Sequence, residues 1–264
     1  MTTYRYPNER FILTATLLLV FLVIALTATA TLCASLIFVL LAVMLASASS
    51  RSHHQALMRS AQKVTPQNLE ELAVLVESCR RRLCPGSVEV YVLPSKALNA
   101  YTFGLSDPRV VVLYSALFKV MDKDELQFII GHEMGHVALG HTWLNSLMGG
   151  MAGIPSPSSA AALLTLAFLS WNRACEFSAD RAGLLACGKP EKAVTALVKL
   201  VAGPEAMTQA GIQRAYRQID AEDDTWLGAL AEAFATHPML IRRIEELRSY
   251  ARSQEYQRLL CQLA

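Results

Sequence analysis

The longest hydrophobic pattern in the chain lies near the N-terminus, where residues 11–48 contain no charged residue, proline or glycine. As one straight helix this run would measure about 57 Å, at about 1.5 Å per residue, whereas a bilayer core is about 30 Å thick. Two transmembrane helices that turn near the polar residues 27–31 fit a bilayer better. We therefore predict an N-terminal membrane anchor over residues 1–50, followed by a polar linker over residues 51–64.

Two alternatives to this helical hairpin remain. One long helix has the same composition. A cleaved signal peptide is the other, because "ASA" at residues 46–48 resembles a cleavage site. The length of the apolar run argues against cleavage, since it is more than twice that of a usual signal-peptide core of about 7–15 residues. Basic residues flank both ends of the run, which predicts that both ends lie in the cytoplasm.

After the linker, the pattern predicts one helix, three short strands and then mainly helices. The first helix follows Thr65, a candidate N-cap, with Pro66 at its first position. The strands are predicted at residues 88–93, 100–103 and 109–114, where short apolar runs are bounded by turn-forming residues. The predicted fold class is therefore α+β, mainly α, with a small antiparallel or mixed β-sheet.

The stretch "MDKDELQFIIGHEMGHVALGH" at residues 121–141 predicts a helix that begins with a capping box of Asp122 and Glu125. From Pro190 onward the pattern is again helical, with interruptions at residues 203–205, 220–224 and 236–238.

The helix predicted over residues 121–141 carries candidate metal ligands. His132 and His136 are four residues apart, so they lie about 40° from each other on a helix and can bind one metal ion. Glu133 lies beside that face, where it can act as general base, which is the chemistry of the H-E-x-x-H motif. His141 lies about 140° beyond His136 on a continuous helix. We predict that it is stabilised by the helix C-terminal dipole and does not bind the metal.

A catalytic zinc ion requires a third protein ligand, and Glu176 in "NRACEFSAD" is the best candidate. Asp180 follows four residues later on the same helix face and could accept the second N–H of a ligating histidine. The alternative is an ordinary solvated helix face. The apolar residues around both carboxylates argue against that alternative.

The motifs, and their order along the chain, resemble those of the HtpX and CAAX prenyl endoprotease family of membrane-associated zinc metallopeptidases, the gluzincins. The resemblance covers about residues 65 to 250 and rests on "VVVLYSALFKVMDKDELQFIIGHEMGH", "NRACEFSADRAG" and "THPMLIRRI". It implies a zincin-like metallopeptidase domain over residues 65–264, with an apolar inserted segment over residues 143–171. It also implies one Zn²⁺ per chain, held by His132, His136 and Glu176.

The resemblance implies roles for further residues. Glu133 would activate the water that the zinc holds, and His237 would stabilise the oxyanion. Asp180 and Arg243 would support the ligands, with Arg242 as a less favoured alternative to Arg243. Asn99 would open the strand that binds the substrate.

Members of this family carry two more transmembrane helices where this chain has the uncharged segment 143–171. That segment is too short for two crossings of about 20 residues each. A single crossing would separate Glu176 from His132 across the membrane. We therefore predict two short apolar helices that pack on the domain or dip into the membrane surface.

Charge and cysteine content exclude two other classes of protein. The net charge is +2 and no block of five basic residues occurs, so a nucleic-acid partner is not expected. The six cysteines form no C-x-x-C pair, which favours reduced thiols over a disulfide framework.

We therefore predict a zinc metalloendopeptidase in the cell inner (cytoplasmic) membrane, with its catalytic domain facing the cytoplasm. Its partners would be the lipid bilayer and polypeptide substrates, namely membrane or misfolded proteins in membrane-protein quality control, by analogy of fold. One alternative is a catalytically inactive membrane-bound adaptor that retains the fold, although every position that the chemistry requires is filled. Another is a metal transporter, which would need ionisable residues that the run 11–48 lacks.

Overall fold

Helices and strands are assigned from a computed structural model, which describes residues 4–30, 34–105, 107–147, 168–202 and 240–263. The helices are α1 (Glu9–Ala30), α2 (Ala34–Met58), α3 (Glu70–Leu83), α4 (Leu117–Val120), α5 (Lys123–Ala138), α6 (His141–Leu147), α7 (Leu169–Cys187), α8 (Pro190–Ala202), α9 (Leu240–Ala251) and α10 (Gln254–Leu263). The strands are β1 (Gln62–Lys63), β2 (Val88–Leu93), β3 (Ala100–Phe103) and β4 (Arg109–Tyr114). The predicted class, mainly helical with a small sheet, is confirmed.

The four strands form one mixed sheet in the order β1-β2-β4-β3. The central pair β2 and β4 is parallel, and β1 and β3 are antiparallel to their neighbours. Val90 pairs with Val111 and Ala100 pairs with Leu113 in the resulting register. The strands at 88–93, 100–103 and 109–114 are thus confirmed, and β3 lies at one edge of the sheet.

The start of α3 corrects the prediction of an N-cap at Thr65. Residues 65–69 form a turn, in which the N–H groups of Asn68 and Leu69 donate to the Thr65 carbonyl oxygen, and α3 begins only at Glu70. The Asn68 side chain stabilises this turn, because its Oδ1 accepts from the Thr65 N–H (2.9 Å) and its amide donates to the Lys63 carbonyl (2.6 Å). A side chain that satisfies its own backbone competes with the helix.

The predicted anchor contains two helices, α1 and α2, whose large apolar side chains are mostly exposed. In α1, Glu9–Ala28 is long and apolar enough to cross a membrane, whereas the apolar part of α2, Leu36–Leu45, is shorter. At its other end α2 returns to the sheet, where Met58 packs beside Tyr101 and Phe103 of β3. The membrane hairpin itself stays a prediction.

The centre of the core is α5, which packs against α3, α7, α8 and the sheet. Phe128, Ile130 and Met134 on α5 are fully buried there. The inserted segment predicted over residues 143–171 lies largely outside the described residues, since only its ends belong to α6 and α7.

Candidate metal centre

The helix that carries the two histidines is fixed at its first residue by the predicted capping box. The Asp122 carboxylate accepts from the N–H groups of Asp124 and Glu125, both at 3.0 Å, and the Glu125 carboxylate accepts from the Asp122 N–H at 2.8 Å. Glu125 also pairs with Lys199 of α8 at 2.7 Å. These bonds satisfy N–H groups that a helix start would otherwise leave without partners.

Close packing of α5 on α7 brings together the two helices that carry the candidate ligands. A Cβ atom added to Gly131 would lie 2.3 Å from the Ala186 Cβ, and one added to Gly135 would lie 2.5 Å from the Ala182 Cβ. Both distances are far below van der Waals contact, so these positions require glycine. The glycines therefore set the helix separation, and with it the distance between the histidines and Glu176.

His132, His136 and Glu176 meet at one buried point. The Nε2 atoms of His132 and His136 lie 3.2 Å apart, and the Glu176 carboxylate oxygens lie 3.7 Å and 3.5 Å from them respectively. One ligand atom from each of the three side chains lies within 4.8 Å of the others. This is the donor set that the sequence indicated, and the spacing allows all three to face a single ion.

Asp180 and Arg243 lie directly behind this group. Asp180 Oδ1 lies 3.0 Å from the His132 Nδ1, and both carboxylate oxygens accept hydrogen bonds from the Arg243 guanidinium, at 2.6 Å and 2.8 Å. The Arg243 Nη1 also lies 3.2 Å from the Glu176 Oε2. Burial raises the pKa of Asp180, but Arg243 and the hydrogen bonds from Arg243 and His132 outweigh it, so that this pKa is lowered overall.

The carboxylate of Glu133 is buried and lies beside the group formed by His132, His136 and Glu176. Its Oε2 has no hydrogen-bond partner among the described residues, which leaves one oxygen able to accept from a ligand. Burial raises the pKa of Glu133, although His132 and His136 act in the opposite direction. A buried carboxylate oxygen without a partner among the described residues fits a group that accepts from a bound ligand.

His141 has a position that its sequence spacing did not predict. The helix α5 ends at Ala138, Gly140 adopts a φ of +81°, and His141 begins the next helix, so the predicted dipole at its C-terminus does not explain this residue. His141 is 1% exposed, and burial together with the nearby His136 and Arg5 lowers its pKa well below the ordinary value. Its Nδ1 lies 3.0 Å from the Nδ1 of His136, on the ring side away from Glu176.

The sequence reasoning missed a group of residues from the N-terminal segment. The Glu9 carboxylate is 1% exposed, lies 3.1 Å from the His141 Nε2, and accepts hydrogen bonds from Arg5 and the Ser178 hydroxyl. Arg5 also donates to the Leu139 carbonyl at 2.8 Å. A signal was present, because Glu9 is the only acidic residue among the first 69 residues.

Two further residues were predicted for the site, Asn99 and His237. Asn99 lies at the start of the edge strand β3, where its carbonyl accepts from the Tyr114 N–H at 3.0 Å and its Oδ1 accepts from the Ala100 N–H at 2.9 Å. His237 lies outside the described residues. Their roles stay predictions.

The donor set fits a borderline divalent metal ion. Two imidazole nitrogens and one carboxylate oxygen are ligands that zinc takes in catalytic sites, which keep one position open. The unsatisfied Glu133 oxygen lies beside that group. The residues present therefore suit a metal ion that works together with a general base.

Comparisons with known proteins identify a peptidase family and several related proteases. Residues 59–251 match Peptidase family M48. The chain is similar to the plastoglobule-localized metallopeptidase 48 of Arabidopsis thaliana, with 29% identity over 211 residues, which is 75% of this chain and 61% of that protein. It is also similar to the protease HtpX homologs of Pyrococcus abyssi (26% identity, 73% of this chain and 77% of that one) and Burkholderia cenocepacia (25%, 76% and 81%).

Proposed function

Because the chain belongs to peptidase family M48 and is a metallopeptidase, we propose that it is a zinc-dependent endopeptidase whose metal is held by His132, His136 and Glu176. The observation that carries this proposal is the convergence of these three donors beside the Glu133 Oε2, which has no hydrogen-bond partner in the described part of the chain. When bound, zinc supplies a Lewis acid that polarises the substrate carbonyl and lowers the pKa of water.

In this proposal Glu133 is the general base. It receives a proton from the attacking water and passes it to the amine that leaves when the peptide bond breaks. Its buried position and raised pKa suit a group that must hold a proton between these two steps. His237 would donate to the oxygen on which negative charge develops, as the family resemblance implies.

The proposed substrate is an extended polypeptide segment. The strand β3 lies at an edge of the sheet, and an extended peptide can add to such an edge through main-chain hydrogen bonds. Asn99 lies at the start of that strand and would contact the bound segment. Relatives that are called protease HtpX homologs support a polypeptide substrate, and membrane or misfolded proteins are the substrates that we propose.

A membrane location is also part of this proposal. The segment Glu9–Ala28 of α1 is apolar, and its large apolar side chains from Phe11 onward are mostly exposed, as expected of a segment that contacts lipid. Arg5 and Arg10 precede the apolar run, and Arg51 and Arg59 follow it. By the positive-inside rule these residues favour a catalytic domain in the cytoplasm, and the inner membrane of the cell is the location that we propose.

The proposal is tested by comparing the wild-type protein with Glu133→Gln after purification in detergent. Zinc content and cleavage of casein are measured for both proteins. We expect one zinc per chain in both and cleavage by the wild type alone. Equal cleavage by both would overturn the role of Glu133.

A second variant tests the ligand set. Glu176→Ala should lose zinc together with activity, because two histidines alone hold the ion weakly. A wild-type protein that binds zinc and cleaves nothing would favour the inactive adaptor instead. Zinc binding that Glu176→Ala leaves unchanged would show that the metal lies elsewhere.

A further inference from the structure

We propose that Glu9 is a positioning residue for His136 and that it acts through His141. The proposal rests on the metal centre proposed above and extends its support into the N-terminal segment. In this arrangement, the first residue of α1 helps to hold a metal ligand 127 positions further along the chain.

The three side chains form a continuous buried series. The His136 Nδ1 lies 3.0 Å from the His141 Nδ1, and the His141 Nε2 lies 3.1 Å from the Glu9 Oε1. Each of the three residues is 1% exposed. Water therefore does not compete for these hydrogen bonds, and the two Nδ1 atoms and the His141 Nε2 must find their partners within the series.

Metal binding by His136 would fix every hydrogen in this series. If the Nε2 of His136 faces the metal, its hydrogen lies on Nδ1 and is donated to the His141 Nδ1. The hydrogen of His141 then lies on Nε2 and is donated to the Glu9 carboxylate. Metal-ligating histidines commonly donate their second N–H to a carboxylate or carbonyl. Here a second histidine lies between the ligand and the carboxylate.

Glu9 is held firmly enough to serve as the end of this series. Its Oε1 also accepts from Arg5, and its Oε2 accepts from the Ser178 hydroxyl. The Ser178 oxygen in turn accepts from the Tyr6 N–H at 2.7 Å, and Arg5 reaches the Leu139 carbonyl. The carboxylate therefore has three donors. Ser178 and His141 belong to the metallopeptidase domain, and Arg5 binds that domain through the Leu139 carbonyl.

A rival interpretation of the same residues is a second metal site. Ligand atoms of Glu9, His141 and Cys175 lie within 4.8 Å of one another, and all three are buried. Two contacts argue against it. The Arg5 cation already neutralises Glu9, and the His141 Nε2 is directed at that carboxylate, where it donates a hydrogen bond. The two interpretations predict different zinc stoichiometries.

The test measures the zinc dissociation constant of the full chain in detergent, by competition with a chelator of known affinity. Glu9→Ala should raise this constant about 10–100-fold, as loss of a residue behind a metal ligand typically does. Glu9→Gln should raise it less, because the amide oxygen still accepts from the His141 Nε2–H. In a His141→Ala background, Glu9→Ala should have no further effect, since the connection is already broken.

Glu125→Ala is the matched control. Glu125 is also 1% exposed, carries a buried ion pair, and lies on α5 together with the ligands. Glu125 lies about two helical turns before His132, so its loss should destabilise the fold and leave the zinc dissociation constant of the folded protein unchanged. The absorption spectrum of the Co²⁺-loaded protein should change in Glu9→Ala and stay unchanged in Glu125→Ala, because it reports on the ligands themselves.

Several results would overturn the proposal. Equal shifts in Glu9→Ala and Glu125→Ala would show a general loss of stability, and additive effects of the Glu9 and His141 changes would show that the two act separately. Two zinc ions in the wild type, with one lost in Cys175→Ala, would favour the second metal site. If Glu9→Ala does not fold, Glu9→Gln is compared with Glu125→Ala in its place. Failure of the metal centre itself is distinct, because Glu176→Ala would then bind zinc as well as the wild type does.

Discussion

His132 and His136 lie one helical turn apart on α5, yet the groups behind them come from different parts of the chain. Behind His132 lies Asp180 of α7, paired with Arg243 of α9. Behind His136 lies His141, followed by Glu9 and Arg5 from the start of α1. Each series ends at a buried carboxylate that an arginine neutralises.

The difference lies in what the family match covers. Asp180 and Arg243 fall within residues 59–251, which match Peptidase family M48, whereas Arg5 and Glu9 precede them. The His132 side is therefore built within the part of the chain that the family defines. The His136 side also depends on the segment that leads into the apolar helix. The following changes measure how far the two sides are equivalent.

The largest effect is expected from Arg243→Ala. This change leaves the carboxylates of Asp180 and Glu176 buried without their cation, which should lower the free energy of unfolding by about 3–5 kcal/mol. Urea unfolding of the metal-free protein measures it. Arg242→Ala, at the exposed neighbouring position, is the control and should change stability by less than about 0.5 kcal/mol. Equal losses in the two variants would contradict the prediction.

Gly135→Ala should affect both sides together. The new Cβ would lie 2.5 Å from the Ala182 Cβ, so α5 and α7 must separate, at a cost of about 1–3 kcal/mol. Thermal unfolding and zinc affinity are measured in parallel, and both should fall. Adding Ala182→Gly removes the atom that clashes and should restore most of the loss. A double variant as impaired as Gly135→Ala would show that the clash is not the cause.

Asp180→Asn tests the His132 side alone. Asp180 contacts His132 directly, so its loss should raise the zinc dissociation constant about 10–100-fold. Glu9→Gln should have a smaller effect, because a neutral histidine lies between Glu9 and the ligand. Chelator competition compares the two variants under the same conditions. A larger effect of Glu9→Gln would reverse the order that we expect.

The smallest effect is expected from Arg5→Lys. The ammonium group keeps a positive charge beside Glu9 but cannot also donate to the Leu139 carbonyl, so stability should fall by about 0.5–1.5 kcal/mol. Urea unfolding is the measurement, with Arg10→Lys at an exposed position as control. If the two variants are equally stable, the Leu139 contact contributes nothing measurable.

Local features of the fold were predictable from the sequence. The capping box of Asp122 and Glu125 uses residues three apart, and the strands β2 to β4 have short apolar runs between turns. The pairing of His132 with His136 follows from helix geometry alone. Glu176 was predicted because a catalytic zinc requires a third ligand and Asp180 follows it on the same helix face, and its carboxylate does lie beside both histidines.

What sequence reasoning missed depends on contacts between distant residues. The end of α5 near Gly140 turns His141 back towards His136, and a prediction from a continuous helix cannot place it. Glu9 lies 132 positions from His141, and the apolar run that follows it dominates any interpretation of its surroundings. The predicted start of α3 was wrong for a local reason, because the Asn68 side chain stabilises a turn before the helix.

The place of Arg243 on α9 has a consequence for the order of biosynthesis. Arg243 follows Asp180 by 63 residues. At a translation rate of about 5–20 residues per second, the ribosome therefore adds Arg243 about 3–13 seconds after Asp180. During that interval Glu176 and Asp180 lack the charge that later neutralises them. We expect the metal centre of the nascent peptidase to stay unfinished until translation has passed residue 243, which delays hydrolysis until α9 has been made.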